Sequence, residues 1–219
     1  VLYILEKGDS IKSAADLKGK TITATGQGAT PEYALNYILE QNGLTPGKDV
    51  TVKFLAEHSA LAASAVSGKE NLVLLPEPFV TTVLTKSTEF RKALDITKEW
   101  KAAVEKAGNA GSELAMGCIV VRKEFAEKNK ETLDAFLSEY KESTDFVNKN
   151  LDEASQMVVD QGIMAEASLA KKAIPSCNIV YIDGEEMKTS IQSFLDILMK
   201  ANPKSIGGKI PDEDFYYAK

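Results

Sequence analysis

The sequence predicts an α/β protein: a parallel or mixed sheet covered by helices on both faces, leading into a mostly helical second half. Three observations predict it. Apolar runs alternate with helix-period segments in β-α-β-α-β order, joined by short loops. The runs are near-continuously apolar, as in "NLVLL" (71–75), the mark of strands buried on both faces. After residue 123 the period becomes helical, with charges opposite the apolar positions.

The elements follow in order. "VLYIL" (1–5) is a β-branched and aromatic run, and "SAADLKGK" (13–20) a single helical turn ending at Gly19. "TITATG" (21–26) reads as a strand. Thr30 is placed to cap a helix whose first position is Pro31, where a missing N–H costs nothing, and Gly43 is placed to end it. "DVTVKFL" (49–55) is the next strand, and "SALAASAVSG" (59–68) a helix capped by Ser59. After "NLVLL", "PEPF" punctuates and "VTTVLTKS" begins another helix; Trp100 reads as a packing residue. "KALDIT" (92–97), "LAMGCIVVRK" (114–123) and "NIVYID" (178–183) read as strands. Four helical segments fill most of the rest. Residues 12–112 thus form one compact α/β lobe, and 113–219 a mostly helical part.

Composition narrows the function. With 26 Lys+Arg against 32 Asp+Glu and no basic run, nucleic acid is not the expected partner. No apolar run approaches the length of a membrane-spanning helix. The chain begins at Val1 with no leader-like segment, and is read as a processed form or a cut piece. Cys118 and Cys177 lie in apolar surroundings and read as buried free thiols; with one histidine they give no metal spacing, so neither metal nor cofactor is expected.

The loops after three strands carry the strongest local signal: "GQGAT" (26–30), "AEHS" (56–59) and "PEPF" (76–79). In a parallel sheet all three lie at the carboxyl ends of the strands, where ligand crevices form. Two of the following helices would aim backbone N–H groups into that crevice. The expected contacts are Gly26, Gln27, Gly28, Ala29, Thr30, His58, Ser59 and Glu77, the last held between two prolines. The loop is no dinucleotide or Walker A motif, because Pro31 stands where a third glycine belongs and no Lys-Ser/Thr pair follows. Without a nucleophile elbow, a second histidine or a carboxylate pair, catalysis is unsupported.

"DLKGKTI" before the Gly-rich turn, "ALAASAVSGKENLVLLPEPFVT", and "MGCIVVRKEFAEKN" before a helical tail resemble the substrate-binding proteins of ABC importers. The nearest branch is the nitrate/sulfonate/taurine and thiamine-pyrimidine-precursor group, and the resemblance spans all 219 residues. It implies a type II periplasmic-binding-protein fold of two lobes joined by a two-strand hinge. In it 12–112 is one lobe, while 1–11 and 113–219 supply hinge strands and the returning part of the other. Relative to that family an N-terminal third is missing, which implies an incomplete first lobe and room for self-association through it.

The implied role is capture of a small polar molecule and delivery to an ABC permease. The ending "NPKSIGGKIPDEDFYY" resembles the tail of Gram-positive lipoprotein members, implying an extracytoplasmic, cell-surface location. The alternatives are a thiamine-pyrimidine synthase-like enzyme, whose cysteine cluster is absent here, and the effector-sensing domain of a transcription regulator. A free Glu77 would repel an anion, so the residues favour a nitrogen-bearing ligand over a sulfonate.

Overall fold

The structure, a computed structural model, describes residues 1–109 and 111–217. Five strands form one mixed sheet: β1 (Leu2–Lys7), β2 (Thr21–Ala24), β3 (Thr51–Phe54), β4 (Leu72–Pro76) and β5 (Phe90–Asp95), in the order β3-β2-β4-β1-β5. β2 runs parallel to β3 and β4, while β1 is antiparallel to both β4 and β5. The first segment, implied to be a hinge strand, is an interior strand of this sheet, held between β4 and β5.

Alternation along the strands sends side chains to two cores. Leu2, Ile4, Ile22, Ala24, Leu72 and Leu74 face α1 (Thr30–Gln41), α4 (Ile96–Lys106) and α9 (Gly184–Ala201). Tyr3, Leu5, Val73 and Leu75 face α2 (His58–Val66) and α3 (Phe79–Lys86). Trp100 is fully buried, its ring 5.1 Å from Tyr37 and 5.6 Å from Phe194. The helix α1 stops as its sequence requires. Gly43 takes φ +74°, its N–H donates to the Glu40 carbonyl, and that of Leu44 donates to the Leu39 carbonyl.

The second half comprises α5 (Lys123–Lys128), α6 (Lys130–Lys149), α7 (Leu151–Asp160), α8 (Ala167–Ala173) and α9. α9 fastens it to the sheet lobe through Phe194, Ile197 and Leu198, and Asn202 Nδ2 donates to the Tyr33 hydroxyl at 2.9 Å.

Two strand expectations fail. Residues 114–122 and 178–183 form no strand. Strand sequence becomes strand only with a hydrogen-bonding neighbour, and no described residue pairs with either stretch. Their apolar side chains stay outside the core: Ile119, Val120, Val180 and Ile182 are exposed. For the same reason Cys118 is exposed rather than buried, while Cys177 is half-buried with its Sγ 3.3 Å from the Ala173 carbonyl.

Candidate functional site

The three loops meet at one end of the sheet. β2 delivers Thr25, which is 1% exposed, and the chain then turns at Gly26 with φ +78°. A Cβ on Gly26 would lie 2.9 Å from Pro31 Cγ, so both backbone and space demand glycine there. Gln27, Gly28 and Ala29 are exposed at the tip, and Thr30 is half-buried.

The helix N-termini differ from the sequence expectation. α1 begins at Thr30 itself, its N-cap is Ala29, and no side chain caps it. Glu32 takes part of that role from inside the helix, accepting the Gly28 N–H at 2.6 Å. α2 begins at His58 after Glu57, so Ser59 is a first-turn residue, exposed and not a cap. His58 is tied inward instead. Its Nδ1 is 2.5 Å from Thr25 Oγ1, and its ring lies 5.4 Å from that of Phe79. One imidazole thus fastens the ends of β2, α2 and α3 together.

Glu77 is placed where expected, at the end of β4, but its carboxylate turns away from solvent. The side chain is 0% exposed. One oxygen accepts the Thr81 N–H at 3.0 Å, capping α3, and the other accepts from Lys92 Nζ at 3.1 Å. Lys92 also donates to Ser176 Oγ at 3.1 Å and sits 4.0 Å over the Tyr3 ring. Behind Glu77, Thr81, Leu84, Thr85, Lys92 and Lys172 line a recess of about 460 Å³.

The structure therefore gathers Gly26, Gln27, Gly28, Ala29, Thr30, His58 and Ser59 on one open rim and keeps Glu77 beneath it. The first residues of an α-helix leave N–H groups without intrahelical partners. At α1 and α2 those donors, with the positive ends of two helix dipoles, face the rim, an arrangement suited to oxyanions. Thr25, Phe79 and Lys92 were not singled out from sequence. Phe79 belongs to the quoted "PEPF", but nothing in "RKALDIT" marks Lys92 as the partner of a residue 15 positions earlier. Among the described residues no group of three His, Cys, Asp or Glu side chains could hold a metal ion.

Comparison with known proteins agrees with this architecture. The family model "ABC transporter, phosphonate, periplasmic substrate-binding protein" matches residues 1–168, and the chain belongs to that family. Among solved structures, an ABC transporter from Parabacteroides distasonis is similar at TM-score 0.72 and 21% identity, over 100% of this chain and 70% of that one. The periplasmic aliphatic sulphonate binding protein SsuA from Escherichia coli gives TM-score 0.72 and 16% identity, over 99% and 65%. The alkanesulfonate-binding protein SsuA from Xanthomonas axonopodis pv. citri, bound to MOPS, gives 0.62 and 15%, over 91% and 64%. This chain thus spans about two thirds of the length of its structural relatives. No curated protein matches the sequence.

The type II periplasmic-binding-protein fold expected from sequence is the fold these structures share. The family is one of substrate-binding proteins. Among the described residues no helix is long and apolar enough to cross a membrane.

Proposed function

We propose that this chain is the capturing component of an ABC importer, taking a small organic oxyanion of the phosphonate or sulfonate class and passing it to the permease. The observation that carries the reading is the rim itself. Two helix N-termini converge there, and the one carboxylate expected to oppose an anion is instead paired with Lys92 and buried. That pairing removes the reason Glu77 gave for favouring a nitrogen-bearing cargo and leaves Glu32 as a carboxylate at the rim. Family membership and the ligand classes named for the two SsuA proteins point the same way.

Gly26 to Thr30 and Ser59 make the contacts in this reading, and His58 and Glu77 hold the loops that carry them. Glu32 occupies the Gly28 N–H until a ligand oxygen replaces it. His58, the chain's single histidine, is engaged by Thr25, so a structural role suits it better than a catalytic one. Residues 12–112 supply one wall of the cleft. The second wall needs polypeptide beyond this sequence, or another copy of it, packed against the apolar side chains that the second half leaves exposed. Closure of the two walls would follow the ligand's preference for the closed form. An extracytoplasmic setting accords with the family, and lipoprotein anchoring is our expectation from the tail sequence.

A thermal-shift panel tests the reading with methylphosphonate, taurine, an alkyl sulfonate, nitrate and aminopyrimidine thiamine precursors. A phosphonate or sulfonate at 100 times its Kd should add about 2.7 kcal/mol of stability, a rise of several degrees. A rise with aminopyrimidines and none with the oxyanions would overturn it.

A further inference from the structure

We propose a second anion site on this chain, for a dianionic phosphate group, in the recess at the opposite end of the sheet from the loop rim. The recess holds about 410 Å³ and is bounded by Lys7, Lys20, Lys53, Lys69, Glu70 and Asn71, with Glu6 in its wall. Topology brings these together. β1 is antiparallel to β4, so its last residue, Lys7, lies beside the start of β4, and the Lys7 N–H donates to the Asn71 carbonyl at 2.7 Å. Lys20 directly precedes β2, Lys69 lies just ahead of β4, and Lys53 stands on β3 opposite Thr23. Four lysines from four separate segments thus line one space. Glu77 and the 26–30 loop follow β4 and β2 at their other ends, about 13–16 Å from the starts of those strands at 3.3 Å per residue, while Lys53, the third of the four residues of β3, reaches the recess from further along the sheet.

The carboxylates in the recess are already engaged. Glu6 accepts from Ser10 N, Ser10 Oγ, Ile11 N and, at 2.6 Å, Arg91 Nη2. Glu70 accepts from Thr23 Oγ1 at 2.6 Å. Of the lysines, Lys7 pairs with Glu89 at 2.9 Å, and Lys20 Nζ is 3.4 Å from Ser10 Oγ. Among the described residues, no carboxylate lies within 4.0 Å of Lys20, Lys53 or Lys69 Nζ. Because Arg91 offsets Glu6, the recess keeps a net positive charge on a chain whose formal charge is −6.

That contrast selects a compact, multiply charged anion. Lysine binds phosphate as a point charge with three donors, and several converging ammonium groups favour a dianion over chloride. The volume exceeds what a bare phosphate fills and admits an organic substituent. A single recess on an acidic chain, with no basic stripe leading from it, fits no polyanion. Its position leaves it open while the rim is occupied, so the site stands independently of the proposed cargo.

The test is a titration of the ¹⁵N-labelled chain with inorganic phosphate, balanced against chloride at constant ionic strength. A parallel sedimentation uses phosphatidylcholine vesicles with and without phosphatidic acid. We expect saturable amide shifts at Lys20, Lys53, Lys69 and Asn71 with phosphate, and binding at least about tenfold weaker in K53Q/K69Q. Both side chains are exposed, so that variant should melt like the parent. Sedimentation with phosphatidic acid that K53Q/K69Q abolishes, without shifts from free phosphate, would uphold the recess and assign the group to a lipid. Shifts confined to residues 26–30 and 58–60, equal shifts with chloride, or binding unchanged in K53Q/K69Q would overturn it.

Discussion

The sheet lobe and the helical half carry equally clear apolar patterns, but the sheet lobe buries most of its large apolar side chains, whereas the helical half buries those that α9 lays on the sheet and leaves many others exposed. In the sheet lobe Leu2, Ile4, Leu5, Ile22, Leu61, Leu74 and Trp100 are all at or below 1% exposure. In the helical half α6 runs for 20 residues with only Leu133 and Thr144 buried, while Phe136 and Tyr140 stack at 6.0 Å in the open. Phe125, Met157 and Ile163 are exposed as well. Periodicity states which face of an element is apolar; it does not supply what covers that face. The helical half leaves an apolar surface exposed, on a chain about two thirds as long as its structural relatives.

The largest predicted effect sets the two halves against each other. Trp100→Ala empties a space bounded by Tyr37 and Phe194 and should cost about 3–5 kcal/mol in urea unfolding. Phe136→Ala, just as conspicuous in sequence, should stay within about 0.5 kcal/mol. Equal losses for the two would show that α6 is buried in solution and erase the contrast.

Next comes Glu6, one of two buried carboxylates of the sheet lobe. Burial alone would raise the Glu6 pKa, but hydrogen bonds from Ser10 and Ile11 and the Arg91 charge outweigh it, and the net shift is downward. A depressed carboxyl contributes stability above its unfolded pKa and loses it as pH falls through the folded one. Glu6→Gln should therefore cost about 2 kcal/mol at pH 7, Arg91 being partly solvated. Its melting temperature should converge on the parent's below the usual carboxylate range. Parallel curves across that range would remove Glu6 as the cause.

Smaller effects belong to the rim. Gly26→Ala meets both a positive φ and the Pro31 ring, and should cost about 1–3 kcal/mol by thermal unfolding while displacing the 26–30 loop. Glu32→Ala should cost about 0.5–1 kcal/mol of stability but tighten methylphosphonate binding about two- to fivefold by calorimetry. It removes both a like charge and the group that holds the Gly28 N–H. Weaker binding would mean that Glu32 helps to shape the rim.

Much of this was legible in the sequence, for physical reasons specific to each place. β4 was legible because "NLVLL" is apolar on both faces, and α1 because Pro31 and Gly43 bracket it. The gathering of three loops followed from strand order alone. The direction of Glu77 was not legible, because it depends on Lys92, which β5 brings alongside through β1. Nor were the true helix starts, where Thr25 claims His58 and Glu32 claims Gly28. Residues 114–122 and 178–183 form no strand although their composition suits one, because β propensity describes a residue's fit to a sheet and, among the described residues, none pairs with them.

The most direct test of oxyanion capture at the rim is to follow the backbone amides of Gln27, Thr30, Ser59 and Ala60 while methylphosphonate is added. If the two helix N-termini hold the ligand together, all four move in one saturable transition with a single Kd. If they stay still while the protein binds, or move with an amine-bearing ligand and not with the oxyanion, the rim is not an oxyanion site.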